Sequence, residues 1–208
     1  MWDFIADRWE DIAYRSYQHT SLVVQSVLLA TIIALVLAVI VIRNKKLESF
    51  ANIFSAIGLT LPSFALLGIL LPLVGIGAVP SVIAVTFYAV LPILRNAVVG
   101  LQAVDANLLE SARGMGMSKV ATLLKVRLPL AWPVILAGVR TSTQMSFGVA
   151  AIAAYALGPG LGGYIFTGLA QVGGANALNY ALVGTIGVVV LALLLDLILV
   201  GVGRLTIP

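Results

Sequence analysis

The stretch LQAVDANLLESARGMGMSKVATLLKVRLP, residues 101–129, is the longest polar segment in an otherwise apolar sequence. It carries four basic side chains and is punctuated by Gly114 and Gly116. Long apolar runs lie on both sides of it. A polar, basic and glycine-punctuated segment in that setting predicts a loop between membrane helices that contacts a partner in the cytoplasm.

The composition supports a membrane protein. Of the 208 residues, 61% are hydrophobic and 10% are charged, whereas soluble domains have about 25% charged residues. The chain therefore forms one membrane domain, with little room for a soluble one. Cysteine is absent, which excludes disulfides and thiol chemistry. The basic residues stand in short clusters between apolar runs, as topogenic charges do, so no nucleic-acid partner is expected.

Five apolar runs predict five transmembrane helices and an all-α fold, because about 20 apolar residues cross a bilayer. The turn at 75–78 is very short, so the second and third runs should form a hairpin. Residues 1–18 are predicted to form a separate amphipathic interfacial segment with aromatic anchors, followed by a membrane domain over 19–203. His19 is expected at the interface. The five runs are 22–42, 51–74, 80–94, 131–157 and 180–202.

Charge asymmetry predicts the orientation. With five spans, nearly all basic residues fall on one side, and only Arg8 and Arg15 fall on the other. Since cytoplasmic loops carry an excess of Lys and Arg, the N-terminus should lie outside and the C-terminus in the cytoplasm. Residues 101–129 are then cytoplasmic. The residues on that side are Arg43, Lys45, Lys46, Arg95, Arg113, Lys119, Lys125, Arg127 and Arg204.

The stretch 101–129 predicts a helix–turn–helix between the third and fourth spans. Asp105 and Ser118 are suited to capping the two helices, and glycines at 114 and 116 suit a sharp turn. Pro129 should end the second helix. The first helix is expected to present Glu110, Ser111, Ala112 and Arg113 outward.

At this point the chain resembles the type I permeases of bacterial ABC importers. Their cytoplasmic motif reads EAA, three residues, G, nine residues, I, one residue, LP. Here Glu110, Ser111 and Ala112 are followed at those spacings by Gly116 and then by Val126, Leu128 and Pro129. Ser111 replaces alanine and Val126 replaces isoleucine, and both exchanges nearly conserve size.

The resemblance extends over residues 19–203 and is similar in detail to permeases for osmoprotectants such as glycine betaine, carnitine and choline. It implies a multi-pass subunit of the bacterial inner membrane that pairs with a second permease chain, identical or different. An external binding protein would deliver the solute. A cytoplasmic ATPase dimer would bind ATP and Mg²⁺, contacting residues 110–116. The segments that carry the resemblance to osmoprotectant permeases are FYAVLPILRNAVVGL, VDANLLESARGMGMSK, LPLAWPVILAGVRT and GPGLGGYIFTGL.

No catalytic, metal or nucleotide site is expected in this chain. The glycine-rich run 158–163 lacks the lysine of a phosphate-binding loop, so ATP must be hydrolysed by another subunit. A membrane-embedded enzyme is disfavoured, because one histidine and no cysteine leave little for catalysis.

Two charges inside apolar runs are candidates for an intramembrane ion pair, since isolated charges in a span usually pair. Arg140 and Asp196 could pair with each other, Asp196 could pair with Arg95, or each could reach water separately. The polar run that follows Arg140 should pack against other helices or line a water-filled path. Its members are Thr141, Ser142, Thr143, Gln144 and Ser146, of which Thr141, Thr143, Gln144 and Ser146 are the candidates for lining a path. Phe87, Tyr88, Phe147 and Tyr155 are available for a cation–π cage, but nothing in the sequence makes them converge.

Two further transport functions remain open. One is a related type I ABC permease for another small solute such as methionine. The other is an ion-coupled porter, which would need several intramembrane carboxylates and an internal repeat. Asp196 is the one clear acid within a predicted span and no repeat is evident, so the ABC permease is favoured.

Overall fold

The computed structural model describes residues 1–206, and all regular elements in that part of the chain are helical. The all-α prediction is confirmed. A five-residue π-helical turn, Leu123–Arg127, joins α6 to α7, and a 3-10 turn, Ala154–Ala156, follows α7. The helices are α1 Trp2–Val41, α2 Lys45–Thr60, α3 Ser63–Val74, α4 Ala78–Gln102, α5 Ala106–Gly114, α6 Lys119–Thr122, α7 Leu128–Ala153, α8 Gly162–Ala170 and α9 Ala177–Thr206.

Four helical segments are long and apolar enough to cross a membrane. They are α1, α4, the continuous segment Lys119–Ala156, and α9. The pair α2–α3 makes a fifth if both helices belong to one span. The fold thus has four to five membrane-spanning helices.

The predicted second span, 51–74, is not one straight helix. It is divided between α2 and α3, whose axes meet at 94°. Pro62 lacks the N–H that an unbroken helix needs and holds the preceding residue, Leu61, in an extended conformation (φ −65°, ψ 125°). The hydroxyl of Tyr88 on α4 donates to the carbonyl oxygen of Leu61 at the break, so a backbone group freed by the bend is satisfied by a neighbouring helix.

The predicted separate segment 1–18 does not exist as an element of its own. It is the first part of α1, which runs for 40 residues. No glycine or proline interrupts residues 2–41, so nothing in the backbone stops the helix at residue 18. At 1.5 Å per residue such a helix is about 60 Å long, roughly twice the hydrocarbon thickness, so α1 extends well beyond a bilayer.

The N-terminal part of α1 is fastened to α8 and α9. Tyr164 donates a hydrogen bond of 2.7 Å to Asp11, and Phe4 packs edge-on against Tyr180 with ring centroids 4.8 Å apart. The guanidinium of Arg8 lies 5.1 Å from the Tyr180 ring centroid. Burial, together with the hydrogen bond to Asp11, raises the pKa of Tyr164 to about 12. These contacts hold the extension against the bundle.

The core lies where α4 packs between α1 and α7. Ala30, Ala34 and Ala38 are fully buried at four-residue spacing along one face of α1. Gly100 on α4 and Gly138 on α7 lie where these two helices touch. A Cβ at Gly138 would lie 2.7 Å from Asn96. Small residues at such positions let helix backbones approach closely, which explains the tight three-helix centre.

Candidate coupling site and membrane path

The polar stretch 101–129 begins as predicted. Asp105 caps α5 by accepting a hydrogen bond of 2.8 Å from the backbone N–H of Asn107. Ser118 caps α6 by accepting one of 3.2 Å from Ala121. Both capping predictions are confirmed. The side chains reach backbone N–H groups that have no partner within a first helical turn.

The turn between α5 and α6 depends on one of the two glycines. Gly116 has φ +81°, a conformation that side chains disfavour. Gly114 is the last residue of α5 and has no positive φ. A Cβ at Gly114 would meet open space, so the prediction that both glycines shape the turn is wrong for Gly114. The backbone at 114 is instead left uncovered.

Of the four α5 residues that were predicted to face outward, three do so. Glu110, Ser111 and Arg113 are exposed. Ala112 is not: it is 1% exposed, because it lies on the inward side of the helix. The prediction that it faces outward is wrong, and its small size serves the packing of α5 against the bundle.

The second helix does not end at Pro129. The π-helical turn Leu123–Arg127 leads without a break into α7, with the N–H of Leu128 bonded five residues back to the carbonyl of Leu123. A proline ring clashes with the carbonyl four residues earlier in a regular α-helix, and the wider π turn directly before Pro129 accommodates it. Val126 and Leu128 are half-buried along this continuous helix, and Pro129 is exposed.

Arg127 ties the start of α7 to the end of α4. Its Nε donates a hydrogen bond of 2.6 Å to the carbonyl oxygen of Leu101. One turn further on, Gly100 abuts α7: a Cβ there would lie 3.1 Å from the carbonyl oxygen of Ala131. At the other side of α7, Trp132 donates to Thr206 of α9 at 2.7 Å. No local sequence pattern predicts the Arg127 contact, which joins residues 26 positions apart.

Several apolar side chains of the polar stretch 101–129 are exposed. Met115, Val120 and Leu124 are exposed to 76%, 64% and 57% respectively, and Leu108 to 49%. A cluster of exposed apolar residues on an otherwise polar segment is typical of a protein contact surface. It lies beside the outward face of α5.

Within the spans, Arg140 and Asp196 are brought together. Nε and Nη2 of Arg140 lie 2.9 and 2.8 Å from the two carboxylate oxygens of Asp196. Asp196 makes no salt bridge with Arg95 among the described residues, and Arg95 is exposed. Of the three sequence hypotheses, the geometry matches the direct pair of α7 with α9.

The polar run after Arg140 is divided between two environments. Thr141 and Gln144 are exposed, as a path-lining role requires. Thr143 and Ser146 are buried, and the hydroxyl of Thr143 returns to the carbonyl of Val139 at 2.8 Å. Those two residues therefore belong to helix packing. Ser142 in the same run is also buried, and it donates to the carbonyl of Ala89 at 2.8 Å and links α7 to α4.

The four aromatic residues considered for a cage do not converge on one place: Phe87 and Tyr88 pack edge-on against each other, with ring centroids 5.4 Å apart, and the other two have different partners. Phe147 is buried and stacks on His19 with centroids 5.5 Å apart. Tyr155 packs instead with Phe64 and Phe166. His19, expected at the interface, is fully buried, and its Nε2 donates to the carbonyl of Phe147 at 3.2 Å. That expectation is wrong because Gly160, in the loop before α8, and Phe147 of α7 pack against the His19 side chain.

Comparison with known proteins identifies the family. The model of the binding-protein-dependent transport system inner membrane component matches residues 26–206. The chain belongs to this family. It is thus a membrane permease subunit and not itself an enzyme, as the motif at 110–129 predicted.

Curated relatives of this permease align along nearly the whole chain. The choline transport system permease protein OpuBB of Bacillus subtilis (strain 168) is 39% identical over 99% of this chain and 93% of its own length. The glycine betaine/carnitine/choline permease protein OpuCB of the same organism is 38% identical over 100% and 94%. The osmoprotectant import permease protein OsmW of Salmonella typhimurium is 36% identical over 94% and 92%.

The fold of this permease is also found in a solved transporter. A chain of the inward-facing MetNI methionine ABC transporter superposes with a TM-score of 0.78 over 94% of this chain and 95% of that one. Their sequence identity is 21%, so this likeness concerns the fold, which is that of a type I ABC permease.

Proposed function

We propose that this permease forms the membrane path of an ATP-driven importer for osmoprotectants of the quaternary-amine class. The observation that carries the proposal is the alignment along nearly the whole chain with relatives named for choline, glycine betaine and carnitine transport, at 38–39% identity. The methionine alternative rests on a fold likeness at 21% identity, which supports no substrate.

The permease is proposed to work with a binding protein on the outer side, which its family description implies, and also with a second permease chain and a pair of ATPase subunits. Its N-terminus would lie outside and its C-terminus in the cytoplasm, in a five-span arrangement with α2–α3 as one broken span. The cavity that joins Arg43 with Arg113, Lys119 and Arg127 supports this orientation, since it gathers basic residues from two predicted cytoplasmic segments at one end of the bundle.

The ATPase is proposed to dock on α5 and the following turn. Three features support this surface: exposed Glu110 and Ser111, the uncovered backbone at Gly114, and the exposed apolar side chains around Met115. ATP and Mg²⁺ would be held by that partner, with no cofactor in this chain.

Movement of α5 and α6, where the ATPase is proposed to dock, would be transmitted to the membrane spans through two rigid connections. The continuous helix from α6 into α7 carries it directly, and the hydrogen bond from Arg127 to Leu101 carries it to α4. Since α4 and α7 form the packed centre of the domain, a displacement of α5 would move them together. Rigid-body rocking of packed helices is a common form of such a transition.

The substrate is tested by uptake into proteoliposomes that contain the permease, its ATPase and its binding protein. We expect ATP-dependent uptake of at least one of labelled choline, glycine betaine and carnitine, and none of labelled methionine. Uptake of methionine alone would show that the substrate class is wrong.

The docking surface is tested separately with two substitutions at one position. Gly114→Trp should leave the permease folded, because the site is open, but should block ATPase assembly and abolish uptake. Gly114→Ala is the matched control and should retain both. Co-purification of the ATPase measures assembly directly; equal recovery with both variants would refute this surface.

A further inference from the structure

A large cavity lies between the end of α1 and the segment that contains α5, α6 and the π-helical turn. Its volume is about 830 Å³. Arg43 contributes from the segment after α1, Arg113 from α5, Lys119 from α6 and Arg127 from the π-helical turn. Residues far apart in the sequence thus place four positive charges around one space.

Within residues 1–206, none of these four basic side chains forms a salt bridge with a carboxylate. The residues that line the cavity include no Asp or Glu. The two ion pairs found within residues 1–206, Arg15 with Asp11 and Arg140 with Asp196, lie elsewhere. The hydroxyl of Thr122, in the wall of the cavity, also has no hydrogen-bond partner among the described residues. Such a cluster of cations favours an anion with several acceptor oxygens.

Part of the cavity wall is apolar. It includes Val39 and Ile42, which belong to the last turn and the end of the α1 span, and Leu123. Arg43 follows directly where the apolar run stops. The cavity therefore combines a hydrocarbon-like wall, continuous with a membrane span, and a cationic side at the membrane edge.

We propose that this cavity binds an anionic phospholipid of the adjoining leaflet. Its phosphate would lie among Arg43, Lys119 and Arg127, and an acyl chain would follow Val39 and Ile42. Basic pockets between membrane helices on the cytoplasmic side recognise acidic headgroups in this way. A free phosphate shares the headgroup chemistry but makes no use of the apolar wall. The inference concerns a lipid and does not depend on which solute is transported.

The experiment measures lipid retention by the purified permease–ATPase complex in detergent, by native mass spectrometry during titration with phosphatidylglycerol. The double variant Arg43→Gln/Lys119→Gln removes two cavity charges that are exposed and make no side-chain hydrogen bonds in the described structure. Each basic residue near a membrane contributes about 1 kcal/mol, so the loss of two should raise the apparent Kd about 30-fold.

Two matched variants control for net charge and for folding. Lys45→Gln/Lys46→Gln removes the same number of positive charges from neighbouring positions outside the cavity and should retain the lipid as the unmodified protein does. Arg43→Lys/Lys119→Arg keeps both charges and should also retain it.

Four results would each overturn the proposal. The first is that Arg43→Gln/Lys119→Gln and Lys45→Gln/Lys46→Gln weaken lipid binding equally, which would indicate a general charge effect. The second is equally tight binding of phosphatidylcholine. The third is displacement of the lipid by inorganic phosphate at comparable concentration, which would assign the cavity to a soluble anion. Loss of lipid only when the ATPase is bound would show that acidic groups of the ATPase fill the cavity, and it would overturn the proposal as well.

Discussion

Arg140 on α7 donates two hydrogen bonds, 2.9 and 2.8 Å long, to the two carboxylate oxygens of Asp196 on α9. Both helices lie in apolar spans. A bidentate pair of this kind fixes the orientation of both side chains. The side chains are 39% and 15% exposed respectively, so the pair lies at the surface of this single chain. In a bilayer, that surface requires either a second permease chain or water beside it.

The first prediction concerns this pair. Asp196→Asn and Arg140→Gln should each reduce uptake and the midpoint of thermal unfolding in detergent, because each leaves a charge in a span without its partner. The exchange Arg140→Asp/Asp196→Arg should recover at least part of what the single variants lose. If the exchanged protein is no better than either single variant, a direct functional pair is ruled out.

The second prediction concerns the link between α4 and α7. Arg127→Gln removes the hydrogen bond to the carbonyl of Leu101, and a bond from a charged donor contributes about 1.5–3 kcal/mol. We expect a lower unfolding midpoint and ATP hydrolysis that is less well coupled to uptake. The ratio of solute transported to ATP hydrolysed measures that coupling.

Lys125→Gln provides the control for Arg127→Gln. Lys125 lies two residues away, carries the same charge and is exposed, so its loss should change the ratio little. An equal fall in both variants would mean that charge, and not the α4–α7 link, is responsible.

The third prediction compares two glycines with positive φ. Gly160 (φ +116°) lies against His19, and a Cβ there would be 2.6 Å from Nδ1. Gly173 (φ +88°) has open space at the same position. Alanine at either site strains the backbone by on the order of 1–3 kcal/mol, but only at Gly160 does it also collide with a buried side chain.

We therefore expect Gly160→Ala to lower the unfolding midpoint, measured by intrinsic fluorescence, clearly more than Gly173→Ala. The difference between the two variants reports the packing of the 158–160 loop on α1 near His19. Equal midpoints would contradict that close packing.

Local chemistry explains which features the sequence could predict. Helix existence followed from apolar run length, and the caps at Asp105 and Ser118 followed from side chains that reach their own backbone within a few residues. The family followed from fixed spacings between Glu110 and Pro129. Each of these signals lies within a short stretch of chain.

The failures have physical causes beyond the local pattern. Pro62 was visible in the sequence, but the size of the bend depends on what packs around α2 and α3. Pro129 appeared to end a helix because the π-helical turn that accommodates it has no recognisable residue signature. His19 was placed at the interface because its polarity was evident and the loop that covers it was not.

The sequence by itself determined that this chain is a helical membrane permease with a polar segment at 101–129, because hydrophobicity and motif spacing are written residue by residue. Only the tertiary structure decided that Arg140 meets Asp196, that Arg127 holds Leu101, and that Arg43 shares a cavity with Lys119. These arrangements bring together residues 26 to 76 positions apart. They depend on how close-packed helices set their mutual rotation and depth, which no single segment specifies.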